Sequence, residues 1–331
     1  AAAIGIDEVR LRESIPLHPD IGKALRDAPH ELFRGSREKR QFIEVLKPAT
    51  LRLTGDAKAK PLHFKRGHEL KPEYAIRSGE NGFFSVANSD ALYHDVEHTI
   101  MVTLVGQEIL RGKHMREGGI SPEDWLLYVI SLLCHDIGFV RGVCRADRRE
   151  LNEYATGKDG QVVRLADGCS DASLNPYHVD RGKLFIRERF HDHKLIDPEV
   201  ICRNMELTRF PVPADEDHKD TTSFPGLVRA ADLIGQLSDL RYLRKSVALY
   251  YEFEELGLNK VLGYKHPGDL RRNYPKFYWR GVHNYVKDPL RYLSLSQFGK
   301  QIIANLYSHV FVVEHDMVDD GHFRQESLPQ T

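Results

Sequence analysis

Tyr93-His94-Asp95-Val96-Glu97-His98 is the stretch on which the reading of this chain turns. Its two histidines are four residues apart, and residues at that spacing on an α-helix share a face, one turn above the other. Further along, His135-Asp136 closes an apolar run and offers an imidazole and a carboxylate from adjacent positions. A lone carboxylate, Asp232, lies in the run Arg229-Ala230-Ala231-Asp232-Leu233-Ile234. Three or four nitrogen and oxygen ligands from separate helices suit a divalent metal that keeps open positions for water. Such a centre generates hydroxide at neutral pH. Any one of these residues alone reads as an ordinary hydrogen-bonded side chain, and among 17 histidines a single one says little. The ordered set carries the argument.

Outward from this stretch, the apolar residues Leu92, Val96, Met101, Leu104, Val105, Ile109 and Leu110 predict a helix from Ala91 to about Arg111. Asn88-Ser89-Asp90 offers its N-caps and Gly112 its stop, with His94 and His98 both on it. Ser121-Pro122-Glu123-Asp124 is a second helix start, with a capping serine, a first-turn proline and acids at the positive dipole end. The run Trp125 to Cys134 is apolar nearly all round, which predicts a central buried helix delivering His135 and Asp136 at its end. Residues 141–176 are polar and glycine-bearing, with a short helix expected near Arg148 to Tyr154. That excursion reads equally as a lid over the metal doublet or as a variable insertion.

Helical periodicity resumes from Tyr177 to Phe190, with His178 near its start, and Asp197-Pro198-Glu199 caps the next helix, running to about Thr208. Residues 211–223 read as a polar loop, Phe224 to Leu237 as the helix carrying Asp232, and Ser238-Asp239 as the start of another. Gly257 to Lys276 reads as an irregular link, and Pro289 to Val313 as a long terminal helix. Upstream, Asp20 to Leu25 and Ser36 to Leu46 look helical, Leu51 to Thr54 could form an isolated strand, and 62–88 is a connector with little periodicity. Strand signals are otherwise nearly absent, so the fold class is all-α with irregularly packed helices.

The 331 residues carry a net charge of −1 and are 41% hydrophobic, enough to bury a large core. The balanced charge argues against non-specific nucleic-acid binding, which rests on neutralising phosphates. Basic runs at 34–40 and 145–149 read first as solvated faces. No stretch approaches the roughly 20 apolar residues of a membrane span, and Ala1 to Ile6 lacks the charged start of a signal peptide. Cys134, Cys144, Cys169 and Cys202 have neither metal-type spacing nor the density of a disulfide framework, so reduced thiols in a cytoplasm are the expectation.

The ordered series His98, His135-Asp136 and Asp232 resembles the HD superfamily of metal-dependent phosphohydrolases, over about Ala91 to Leu237. Within it, Tyr-His-x-x-x-His ahead of the doublet is similar to the signature of class I cyclic-nucleotide phosphodiesterases. The resemblance implies an HD-type helical bundle, divided into an N-terminal segment (1–72), a catalytic core (73–250) and a C-terminal extension (251–331) that completes the pocket. It implies His98, His135, Asp136 and Asp232 as ligands of one or two divalent ions among Zn, Mn, Fe, Mg and Ni. His94 matches the position that protonates the leaving oxygen, with a metal-ligand role as the competing reading, and Asp95 and Glu97 are candidate acceptors for the rings. His178 falls where related proteins place a further histidine for a second metal or for phosphate; His191 and His193 read as surface residues. Arg141 is a candidate phosphate contact or a structural salt bridge. In Ser296-Gln297-Phe298-Gly299, Gln297 is a candidate for hydrogen bonding a purine, against a solvent-facing side chain.

Two departures from the cyclic-nucleotide pattern stand out. Asp95 replaces the usual asparagine, and Ile137-Gly138-Phe139-Val140 follows the doublet in place of Val-Asp-His-Pro, a form nearer to bacterial HD phosphohydrolases. Lys300 also stands where the base-clamping phenylalanine would be. The implied partner is a small phosphoester, a nucleotide before others, with no nucleic acid and no membrane, and a homodimer is left open. A nucleotide phosphomonoesterase and a non-catalytic HD-fold binding or signalling module are the alternatives.

Overall fold

The computed structural model describes residues 89–193 and 196–325, and over them the chain is overwhelmingly α-helical. The helices expected at 20–25 and 36–46, the strand at 51–54, the connector at 62–88 and the 1–72 segment lie outside the described residues.

Helix α1 spans Val96–Glu117 and starts later than its apolar pattern predicts. Asp95 is its N-cap: the backbone there is extended, and the carboxylate accepts the His98 N–H at 2.9 Å. His94 therefore precedes the helix rather than sitting one turn below His98 on it. Gly118, with φ 70°, ends α1. Gly112, the expected stop, lies inside the helix, where a Cβ would stand 2.1 Å from the Tyr292 carbonyl oxygen. Its role is close approach of a later helix, which the sequence pattern of a stop signal imitates.

Helix α2, Pro122–Cys134, opens with a reciprocal capping box between Ser121 and Asp124. Leu126, Tyr128, Ile130 and Leu132 are fully buried in it. A 3₁₀ turn, Ile137–Phe139, follows the His-Asp doublet. The 141–176 excursion contains a 3₁₀ turn at Arg149–Leu151, in place of the helix expected there. It also holds a small antiparallel hairpin of β1 Glu153–Ala155 and β2 Val162–Arg164.

Helix α3, His178–Phe190, pins that excursion from beneath. Arg181 donates to the carbonyls of Gly138 (2.7 Å), Val140 (3.0 Å) and Ala155 (2.5 Å). It also forks onto Asp147 at 3.1 and 3.0 Å, with both side chains fully buried. Breaking such a pair from one side costs about 3–5 kcal/mol. A lid that swings on these residues would have to do so, and the excursion is accordingly a built part of the wall.

Helix α4 is Pro198–Glu206, capped by Asp197, and α5 is Phe224–Leu237. Helix α6 is Tyr242–Glu255. The link expected at 257–276 is instead three short helices, α7 Leu258–Leu262, α8 Pro267–Arg272 and α9 Tyr274–Phe277. A π-helical turn, Tyr278–Val282, leads from α9 into α10, His283–Leu293. Pro289, the expected start of the terminal helix, lies inside α10. After a break, α11 runs over Gln297–Gln325, and the Ser296 hydroxyl caps it by accepting the Gly299 N–H at 2.9 Å.

One buried cluster runs through these elements from Tyr93 to Val313, with α1, α2 and α5 at its centre and α10 and α11 closing it. No helix among the described residues is long and apolar enough to cross a membrane.

Candidate metal centre

His98 stands in the first turn of α1, His135 and Asp136 follow the last turn of α2, and Asp232 lies in the third turn of α5. Packing of these three helices brings the residues together. The donor atoms of His98, His135 and Asp232 lie within 4.8 Å of one another. His98 Nε2 is 3.2 Å from His135 Nε2, 3.2 Å from Asp232 Oδ1 and 3.3 Å from Asp136 Oδ2. His135 Nε2 is 3.1 Å from Asp136 Oδ2 and 3.6 Å from Asp232 Oδ1. Donors bonded at about 2.0–2.2 Å to one small ion stand roughly 2.8–3.6 Å apart along the edges of an octahedron or tetrahedron. His98, His135 and Asp232 have that spacing, and Asp136 approaches both histidines from outside this group of three.

Two further observations test the fit. Asp136 Oδ2 is buried and has no hydrogen-bond partner, although two imidazoles stand beside it. An orphaned buried carboxylate oxygen is costly unless something outside the protein binds it. His135 Nδ1–H donates to the Leu132 carbonyl at 2.8 Å, which leaves Nε2 with its lone pair turned to the cluster. The donor set, two neutral imidazoles and two carboxylates, suits a divalent ion of the Zn, Mn, Fe or Mg kind.

The electrostatics agree. Burial would raise the pKa of Asp136, yet His135 and His98 hold it well below the ordinary carboxylate range. The same opposition holds Asp232 at about 2. Burial would lower the pKa of His98 and His135, and the two carboxylates raise both instead. Two buried anions raise the affinity of this spot for positive charge, which protons or a cation can supply.

Outside this mesh lies a rim on irregular backbone. Glu252, on α6, accepts the backbone N–H groups of Tyr93 (2.6 Å) and His94 (3.3 Å). Its other oxygen is 2.7 Å from His94 Nδ1. Burial lowers the His94 pKa, but Glu252 first, then Asp136 and Asp232, outweigh it and raise the value to about 9. His94 is thus imidazolium at neutral pH. Among the described residues its Nε2 has no hydrogen-bond partner, and its ring centroid lies 5.8 Å from that of His98.

Phe139 stacks on His94 and also on His178, each with centroids 4.5 Å apart and planes within 20°. His178 opens α3 and donates Nδ1–H to the Asn175 carbonyl at 2.6 Å, leaving Nε2 as an acceptor; burial lowers its pKa. It stands beside the mesh, outside the group of converging donors. Gly138 makes this approach feasible: a Cβ there would lie 1.8 Å from the His178 carbonyl oxygen.

The remaining sequence candidates are placed as follows. Asp95 is spent as the α1 cap, and Glu97 turns outward to Arg241 (2.6 Å) and Lys245 (3.2 Å), so neither accepts from a ring of the site. Arg141 is tied to Asp90, Asp171 and the Cys169 carbonyl, the structural alternative to a phosphate contact. Gln297 is exposed as the first residue of α11, in a Ser-x-x-Gly stretch whose serine makes the helix cap. His191 is exposed beside Asp192, and His193 packs edge-on to Phe190. Sequence reasoning missed Glu252 and Phe139. Glu252 sits in Tyr250-Tyr251-Glu252-Phe253-Glu254-Glu255, where nothing distinguishes it from its solvated neighbours.

No curated protein and no solved structure gives a significant match to the chain. A family model described as Npun_R2479-like matches residues 64–316, well over half of the sequence and all of the mesh and rim, and the chain belongs to that family.

Proposed function

We propose that this protein is a metal-dependent phosphohydrolase of the HD type, acting on a small phosphoester, with cyclic-nucleotide diesters first among the substrates and nucleotide monoesters second. The observation that carries the reading is the mesh itself: His98, His135 and Asp232 converge at ligand spacing, and the orphaned Asp136 oxygen stands 3.3 and 3.1 Å from the two histidines. His98, His135, Asp136 and Asp232 would hold the ion. When bound, a divalent ion supplies Lewis acidity for the phosphoryl oxygens and lowers the pKa of a coordinated water.

The chain's own residues supply the rest. His98 and Asp232 sit on packed helices and His135 and Asp136 directly follow the buried α2, a rigid mount that keeps donor positions fixed. His94 carries a proton at neutral pH and keeps Nε2–H open, the state a general acid needs to protonate a departing alkoxide. Glu252 orients that ring through Nδ1 and stabilises its charge. Asp232 and His94 are the partly exposed members, with side chains 19% and 18% accessible, so substrate would approach from their side.

The test is a hydrolysis screen of the purified full chain against cyclic and acyclic phosphoesters, with Mn²⁺, Zn²⁺ and Mg²⁺ added in turn. Metal-dependent release of alcohol or phosphate supports the reading. Stoichiometric metal binding with no turnover on any ester would turn it towards a ligand-binding module.

A further inference from the structure

We infer that Arg141 is a positioning residue that ties the two imidazoles of the rim onto Phe139, so that His94 and His178 keep a fixed relation to the mesh. The inference rests on the reading of His94 as the proton donor only for its kinetic consequence.

The rim residues stand on irregular backbone or at its junction with a helix. His94 lies in the bend ahead of α1, Phe139 in the 3₁₀ turn after α2, and His178 after the 3₁₀ run Asp171–Tyr177. Backbone bonds such as Asp95 N–H to the Tyr93 carbonyl and Phe139 N–H to the Asp136 carbonyl shape these turns locally, and side-chain ties fix where each turn sits relative to the others. Arg141 stands two residues beyond Phe139 and supplies them. Its Nε donates to Asp171 Oδ1 at 2.5 Å, one terminal nitrogen to the Cys169 carbonyl at 3.2 Å, and the other to Asp90 Oδ2. Asp90 and Asp171 also bind each other's backbone: the Asp171 N–H donates to Asp90 Oδ1 at 2.6 Å, and the Asp90 N–H to Asp171 Oδ2 at 3.3 Å.

One guanidinium therefore joins the strand of chain four residues before His94, the turn carrying Phe139 and the run seven residues before His178. Each of its three nitrogens donates to one of these partners, so the plane of the guanidinium is fixed by the network. Asp171 is almost completely buried and Arg141 three-quarters so, which protects the network from the screening that weakens exposed pairs. The last turn of α6 ties the same two segments again, Glu252 to Tyr93 and His94, and Glu255 to the Ser170 N–H (2.9 Å), the Ser170 hydroxyl (2.7 Å) and the Ser173 hydroxyl. The α6 tie fixes each segment to a helix, and Arg181 binds the carbonyls on either side of Phe139 to the helix that His178 opens; the Arg141 tie joins the Phe139 turn to the segment ahead of His94 as well. A planar fork between two carboxylates is a geometry lysine cannot reproduce.

The experiment uses the full chain loaded with Zn²⁺ and ¹³C-labelled at histidine. The ring signals of His94 and His178 are assigned by their loss in His94→Gln and His178→Gln and carry the ring-current shift of Phe139. Arg141→Ala should move both signals towards the values of unstacked histidine while the bound Zn²⁺ per chain stays the same. Arg141→Lys should move them part of the way. Asp90→Ala, at a half-exposed position, should move His94 more than His178, and it keeps the inference testable if Arg141→Ala does not fold. On a hydrolysed ester, kcat should fall about 10- to 100-fold with KM little changed, the cost of a misplaced catalytic group. Unmoved histidine signals in the folded variants would overturn the inference, and so would zinc lost in step with the signal shift. A wild-type chain that hydrolyses nothing would sink the function proposed above and leave the spectroscopic arm standing.

Discussion

The mesh and the rim of this site are built in opposite ways. His98, His135, Asp136 and Asp232 are held by helices α1, α2 and α5, whose facing residues are almost all fully buried. His94 and Phe139 sit on a bend and a 3₁₀ turn, and His178 where a 3₁₀ run passes into α3, held by Glu252, Arg141 and their partners. A cation centre needs donors whose spacing does not change, and close-packed helices provide that. Groups that pass a proton or touch a substrate need adjustment by tenths of an ångström, and hydrogen-bonded loops on a rigid frame provide that. The comparison teaches that metal affinity and turnover should be separable by mutation.

The largest effect should come from the mesh. Asp136→Ala removes the orphaned oxygen and is expected to abolish bound metal and hydrolysis together, read by metal analysis and by rate. Full activity in that variant would end the hydrolase reading. Next comes the rim: His94→Ala should keep the metal and lose about 10²- to 10⁴-fold in kcat, the usual contribution of a positioned acid. Metal lost in proportion to activity would make His94 a ligand and erase the distinction between the two regions.

A smaller effect is expected for Glu252→Gln. The amide oxygen can still accept the Tyr93 and His94 N–H groups, but the charge that raises the His94 pKa to about 9 is gone. The alkaline limb of the rate profile should then move to lower pH, with a loss of about tenfold near pH 8 as the fraction of imidazolium falls. An unmoved limb would assign the proton to another group. Finally, metal affinity should rise with pH. His98 and His135 have raised pKa values, so below them the ion competes with protons, and binding releases those protons. Calorimetry in buffers of different ionisation enthalpy measures that release at pH 7; a value of zero would place the ion elsewhere.

How far the sequence revealed this arrangement depended on whether a residue's role left a period or a spacing behind. The apolar run ahead of His135 and the helix around Asp232 are both legible from periodicity, and α5 has the bounds its pattern predicts. The start of α1 was obscured because Asp95 is both a site-like acid and a cap, while Asn88-Ser89-Asp90 has the composition of one. Gly112 and Pro289 carry the chemistry of breakers but lie within helices, where tertiary packing outweighs local preference. Glu252 and Arg141 act across 158 and 30 residues of chain, and a role defined by a distant partner leaves no local signature. Phe139 was visible only as a departure from a familiar motif, and its stacking on two imidazoles gives that departure a physical content.

The insertion of Gly112 against the carbonyl of Tyr292 bears on where this chain can be shortened. The helix that carries His98 leans its back on α10, nearly two hundred residues downstream, where Val286 and Leu293 are wholly enclosed. Ending a recombinant fragment near residue 250 would uncover that back and leave an adhesive apolar strip beside the ligands. The smallest piece worth expressing extends through Val313, since Leu306, Val310 and Val313 of α11 are buried in the same core, and the C-terminal helices serve as the buttress of the first helix rather than as an appendage.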